Sequence, residues 1–101
     1  MSVIYIAGPM TGKPDFNRDK FNTTAARLWA AGHTVLNPAM LPDGLTYEHY
    51  MNIGLAMLRG ADEIYLLEGW EDSEGAKREF NLAVRLRLDI STPESRKGGA
   101  S

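Results

Sequence analysis

Cysteine is missing from the 101 residues. That excludes a disulfide framework and a thiolate metal centre, and it fits a cytoplasmic protein in a reducing compartment better than a secreted one. Histidine is nearly missing: His33 and His49 stand far apart, with no carboxylate cluster to complete a site, so neither a metal nor a cofactor is expected. Apolar runs are too short to span a bilayer, so no membrane partner is expected. The opening stretch MSVIYIAGPM has no basic residues and is broken by Gly8-Pro9, so it reads as a strand and not a signal peptide. Charge of one sign is missing as well: 11 Lys and Arg against 13 Asp and Glu leave a net −2. This gives no electrostatic footprint for duplex nucleic acid, although local donors can still hold one phosphate. What remains is ordinary globular material, 44% hydrophobic and 24% charged, with room for one core and not two.

Periodicity then orders the chain. Val3 to Ala7 is a short apolar, β-branched run closed by Gly8-Pro9, the mark of a strand buried on both faces. Phe21, Ala25, Leu28 and Trp29 recur at helical spacing and stop at Gly32. Thr34 to Leu36 is a second strand. A second helix is expected from about Tyr47 to Arg59, with Tyr50, Ile53, Leu55, Met57 and Leu58 buried and Gly60 at its end. Glu63 to Leu67 is a third strand, about Glu74 to Leu86 a third helix, and Leu88 to Ile90 a fourth short strand. Residues 1–90 make one domain, and the polar stretch 91–101 is expected to be disordered. Strands alternating with helices imply right-handed crossovers and a parallel sheet of three to five strands, in a Rossmann-like or flavodoxin-like α/β three-layer sandwich. An apolar helix surface including Trp29 and Leu58 is expected to be covered by a second copy, in a homo-oligomer that is a dimer or larger.

In such a sheet, ligands bind outside the carboxyl ends of the strands. Two loops converge there, 8–12 and 69–75. The first has glycines that admit a sugar or phosphate, but it lacks the P-loop and dinucleotide signatures, so a plain strand-ending turn explains it equally well. The second says more. Ser73 is placed to cap the third helix, Gly75 and Ala76 keep its first turn open, and Glu79 shares a stripe with Gly75 and Ala83. A solvated glutamate paired with Lys77 or Arg78 is the plain alternative, and the small-residue stripe favours a functional one. Asn37 either bonds its local backbone or meets a ligand at the same sheet edge. Trp70 either anchors its loop or stacks on a base. Tyr47 and Tyr50 read as packing residues.

Ile4-Tyr5-Ile6-Ala7-Gly8-Pro9-Met10, then Val35-Leu36-Asn37-Pro38, Ala61-Asp62-Glu63-Ile64-Tyr65, and Ser73-Glu74-Gly75 with Glu79 resemble, in order, the nucleoside 2-deoxyribosyltransferase-like superfamily. Tyr50 to Glu79 looks closest to a small branch found in bacteria and their phages, related to the deoxynucleoside monophosphate N-glycosidases. The resemblance implies a nucleoside or nucleotide partner and hydrolysis or transfer at the N-glycosidic bond. It implies Glu79 as nucleophile and Ser73 as a phosphate-binding serine. It implies Gly8 and Gly75 as points of close backbone approach, and Tyr5, Pro9, Met10, Asn37 and Trp70 join them as candidate substrate contacts. A carboxylate beside the anomeric carbon suits the oxocarbenium-like transition state of that chemistry.

The match also has gaps. Where related sequences carry an aspartate on the second helix, this chain has Gly54, and Thr11 stands where the hydrolases have an arginine. Loss of a positioned acid costs on the order of a hundredfold. If Gly54 marks that loss, Gly54→Asp is expected to raise turnover, with Asn52 and His49 as nearby substitutes for the acid. The other reading is a catalytically weak protein that senses or sequesters a nucleotide.

Overall fold

The computed structural model describes residues 1–95. The expected tail beyond Ser95 lies outside them. Four strands form the sheet, β1 (Val3–Ala7), β2 (Thr34–Leu36), β3 (Glu63–Leu66) and β4 (Asp89–Ser91), and three helices connect them, α1 (Arg18–Ala30), α2 (Tyr47–Arg59) and α3 (Glu74–Arg85). The order across the sheet is β2-β1-β3-β4, and every pair is parallel. This is the α/β architecture that the alternating pattern predicts.

Because β1 is a buried central strand, its side chains alternate between two apolar layers. Ile4 and Ile6, with Tyr65 and Leu67, pack against Phe21, Ala25 and Leu28 of α1. Tyr5 and Ala7, with Ile64 and Leu66, face Leu58 of α2 and Ala83 of α3. The sheet therefore carries α1 on one side and α2 with α3 on the other. From β1 the chain runs outward to β2 through α1, then returns past β1 to β3 through α2. The crossovers diverge between β1 and β3, and the crevice at their carboxyl ends is the switch point where such sheets bind ligands.

Local chemistry sets the boundaries. Gly32 takes φ +96° just after α1, as its role as terminator requires. Thr46 caps α2 reciprocally: its hydroxyl accepts from the His49 amide, and His49 Nδ1 accepts from the Thr46 amide. Arg87, at φ +59°, turns the chain out of α3. That places α3 and β4 one residue away from the periodic reading at Leu86 and Leu88.

Three expectations change. On α2 the buried face is Met51, Gly54 and Leu58, an i, i+3, i+7 stripe, while Ile53 is exposed and Tyr50 half-buried. Leu58 is fully buried within its own chain, and only Trp29, 57% exposed, remains of the surface predicted for a second copy. Ser91 is not tail: it pairs with Tyr65 in the sheet, is buried, and donates its hydroxyl to Glu63. Thr92 and Ser95 also exchange hydrogen bonds beyond it. The periodic reading misses this because β4 is an edge strand whose anchoring is polar.

Candidate active site

Tyr5 is the middle residue of β1, and pleating aims it at the α2–α3 layer. Glu79 sits in the second turn of α3, on the buried stripe Ala76, Glu79, Ala83. Their side chains meet: the Tyr5 hydroxyl donates to Glu79 Oε2 at 2.5 Å, in a buried position. Burial pushes the Glu79 carboxyl up to about 7, against the partial relief given by the Tyr5 hydrogen bond and the positive charge of Arg78. Burial, together with the facing carboxylate, raises the Tyr5 phenol well above its ordinary value, so it stays a donor.

Glu79 opens onto a cavity of about 380 Å3, within the size range of small-molecule sites. Its floor is Tyr5 and Gly8 from the end of β1, with Ser73, Gly75, Ala76 and Glu79 from the start of α3. Tyr47, Tyr50 and Met51 of α2 form one wall. The roof comes from Phe16 before α1 and Arg18 at its start, and from the loop carrying Leu41, Asp43, Gly44 and Leu45. Arg18 ties these segments together, with one guanidinium nitrogen on Asp15, 2.8 Å away, and the other on Asp43. Asp15, Phe16 and Asn17 all have positive φ, +47° to +63°, conformations that non-glycine residues adopt at a cost. Arg18 also lies over the Phe16 ring, 5.1 Å from its centre.

Glycines matter at three contacts. A Cβ on Gly54 would come within 2.7 Å of Glu79 Oε2 and 2.8 Å of the Tyr5 hydroxyl. The absence of a side chain there gives the pair its room under α2, so Gly54→Asp is expected to crowd the pair and not simply to restore an acid. An aspartate would drive its own Cβ into the pair and bury a second carboxylate beside Glu79. At Gly8 a Cβ would fall 2.8 Å from Leu67 Cβ, so this glycine serves the packing of β1 against β3 as well as lining the cavity. At Gly75 it would stand 3.1 Å from Met51 Sδ and 3.7 Å from the Tyr47 hydroxyl, the close approach that brings α2 over the start of α3.

Of the predicted residues, the fold brings together Glu79, Tyr5, Gly8, Met10, Ser73 and Gly75 on one cavity. Ser73 caps α3, its Oγ accepting from the Ala76 amide at 3.2 Å. Pro9, Asn37 and Trp70 do not line the cavity. Pro9 is buried and its carbonyl accepts from Asn17. Asn37 is spent on the Ala39 amide and on Asn22, and Trp70 packs on Phe80 with ring centres 4.7 Å apart. His49 is spent on the α2 cap, and Asn52 lies outside the cavity lining. His33 Nδ1 accepts from the Ser2 amide.

Sequence reasoning missed Arg18, Asp43, Phe16, Met51 and the cavity role of Tyr47 and Tyr50. The spacing of Tyr47, Tyr50 and Met51, with Gly54 one turn further on, was the available signal: together they mark one face of α2. Among the described residues no helix is long and apolar enough to cross a membrane, and no group of His, Asp and Glu is placed to hold a metal ion.

The profile of a family described as a domain of unknown function (DUF4406) matches residues 2–92. No curated protein matches the chain. Among solved structures, a 2-deoxyribosyltransferase from Leishmania mexicana superposes with a TM-score of 0.72 at 24% identity, covering 91% of this chain. The chain has the fold of that protein but spans only 63% of its length.

Proposed function

The chain belongs to the DUF4406 family, and from that premise we propose that it cleaves or transfers the N-glycosidic bond of a nucleoside or nucleoside monophosphate, with Glu79 as nucleophile. The observation that carries this reading is one carboxylate, 8% exposed, fixed by the Tyr5 hydroxyl and facing a cavity at the carboxyl ends of parallel strands. The shared fold of a 2-deoxyribosyltransferase supports it.

In this reading a Glu79 oxygen attacks the anomeric carbon of the sugar. The carbon–nitrogen bond breaks, and the base leaves with the electron pair and takes a proton from solvent. Among the described residues Asp43 is the only other carboxylate lining the cavity, and it is paired with Arg18. The resulting glycosyl ester is resolved by water, which passes its proton to solvent, or by a second base, and either regenerates the Glu79 carboxylate. Tyr5 positions the carboxylate and favours its ionised form. Burial works against ionisation, so the site carries a base poised near neutrality.

The test is incubation with a panel of nucleosides and their 5′-monophosphates, with free base measured by chromatography. Release that disappears in Glu79→Gln supports the reading, and release unchanged in that variant overturns it. A second reading, a nucleotide-binding protein without turnover, is favoured by Gly54, which leaves α2 without an acid over the site. Ligand-induced thermal stabilisation with no base released would select it.

A further inference from the structure

Arg18 is the only cationic side chain lining the cavity among the described residues. It is also engaged: each terminal nitrogen donates to a carboxylate, Asp15 just before it in the chain and Asp43 on the opposite loop. Recognition of a phosphate by arginine depends on offering two parallel N–H donors to two oxygens. Here each terminal nitrogen of that fork already faces a carboxylate, and Asp43, which lines the cavity, sets negative charge where an incoming dianion would have to approach.

The other end of the cavity is no more hospitable to a phosphate. The amino end of α3 is a natural anion site, but its first turn already carries Glu74. Ser73 Oγ accepts the Ala76 amide that an anion would otherwise meet, and Met51 and Tyr47 of α2 crowd the approach to Gly75. The rest of the lining is aromatic, aliphatic or hydroxylic: Phe16, Leu41, Leu45, Tyr47 and Tyr50. That chemistry suits an uncharged base and sugar.

Resting on the reading of this cavity as a nucleoside site, we infer that Asp43 determines specificity: by occupying Arg18 it selects neutral nucleosides over their 5′-monophosphates. Asp43 touches the ligand's charge preference and not the reacting bond, so its effect is on binding. Its side chain is 75% exposed, so its replacement leaves the core intact.

The experiment measures calorimetric affinities of the full chain for 2′-deoxyadenosine, for its 5′-monophosphate and for inorganic phosphate, in a Glu79→Gln background that prevents turnover. The variants are Asp43→Asn, Arg18→Met and both together. The parent is expected to bind the nucleoside more tightly than the monophosphate. Asp43→Asn is expected to shift the affinity ratio toward the monophosphate by about tenfold, the effect of one nearby charge, and adding Arg18→Met should cancel the shift. A parent that prefers the monophosphate, or a ratio unmoved by Asp43→Asn, overturns the inference. If the parent binds neither nucleoside nor nucleotide, the functional reading falls, and the specificity claim with it. The phosphate arm then shows separately whether Asp43 masks the cation: phosphate binding gained in Asp43→Asn and lost with Arg18→Met supports the masking, and no gain overturns it.

Discussion

Glu79 and Glu63 are the two carboxylates buried among the described residues, 8% and 6% exposed, and each accepts a hydroxyl hydrogen bond of 2.5 Å, from Tyr5 and from Ser91 respectively. By burial and partner they look alike. They differ in what lies on the far side. Glu63 opens β3 and meets Ser91 of the neighbouring strand, so its bond ties β4 to the sheet. It lines neither the 380 Å3 cavity nor the shallower groove between α2 and α3. Glu79 faces the cavity with Tyr5 behind it. In the proposed reading, a buried, hydrogen-bonded carboxylate is therefore a fastener or a reagent according to whether space for a substrate adjoins it.

The sharpest way to break this contrast is to neutralise each in turn. Glu79→Gln is expected to cut base release by at least about a thousandfold, while Glu63→Gln leaves the rate per folded molecule unchanged; chromatography of released base on matched samples checks both. Stability should respond in the opposite sense. Glu79, whose ordinary value is 4.5, titrates at about 7 in the fold. Below about 4.5 both folded and unfolded chains are protonated there. Between 4.5 and 7 the folded chain holds a proton the unfolded chain has released, so stability falls as pH rises, then levels off. Above pH 7 the accumulated cost is about 3 kcal/mol. Glu79→Gln should accordingly raise stability at pH 8 by up to that amount and flatten this part of the pH dependence, as measured by denaturant titration across pH 4 to 8.

Activity should run the other way, because the nucleophile must be ionised: kcat/KM for base release is expected to rise with pH through about 7. Tyr5→Phe removes a bond that favours the ionised form, so the midpoint of that rise should move upward. An unmoved midpoint would mean that the hydroxyl does not govern the carboxylate.

Gly54→Ala comes next in size. Helix propensity alone predicts a gain of up to about 1 kcal/mol, but the methyl would press on Glu79 and Tyr5. The expected result is a loss of about 1–3 kcal/mol, together with weaker ligand binding, read by denaturation and calorimetry. At the fastener end, Ser91→Ala should cost about 1–3 kcal/mol by removing a partner from a buried carboxylate, with base release per folded molecule unaffected. Smallest is Ser73→Ala, expected to cost about 1 kcal/mol through loss of the α3 cap. In the neutral-nucleoside reading it weakens nucleoside and monophosphate binding alike, whereas a selective loss for the monophosphate would restore Ser73 as a phosphate contact.

How legible the site was depends on how local its determinants are. The strands and helices were readable because burial imposes a period on consecutive residues, and Glu79 stood out because small residues flank it on one helical stripe. The roof of the cavity was not readable. Arg18 and Asp43 are 25 residues apart, and neither belongs to a pattern until the loops after β1 and β2 fold over the same crevice. The packing role of Gly54 was hidden for a related reason: it depends on Tyr5 and Glu79, which belong to other elements. Trp70 was ambiguous because an aromatic beside a strand end can face either the crevice or its own helix, and Phe80 on α3 provided the nearer apolar surface.

The Tyr5–Glu79 bond joins residues 74 positions apart, across almost the whole described chain. Closing such a long loop is entropically slow and comes late. A chain that has not closed this loop has not brought Tyr5 and Glu79 together. In the proposed reading, recovery of base release during refolding is therefore expected to follow the closing of this loop and not precede it, as stopped-flow refolding with a base-release assay would check.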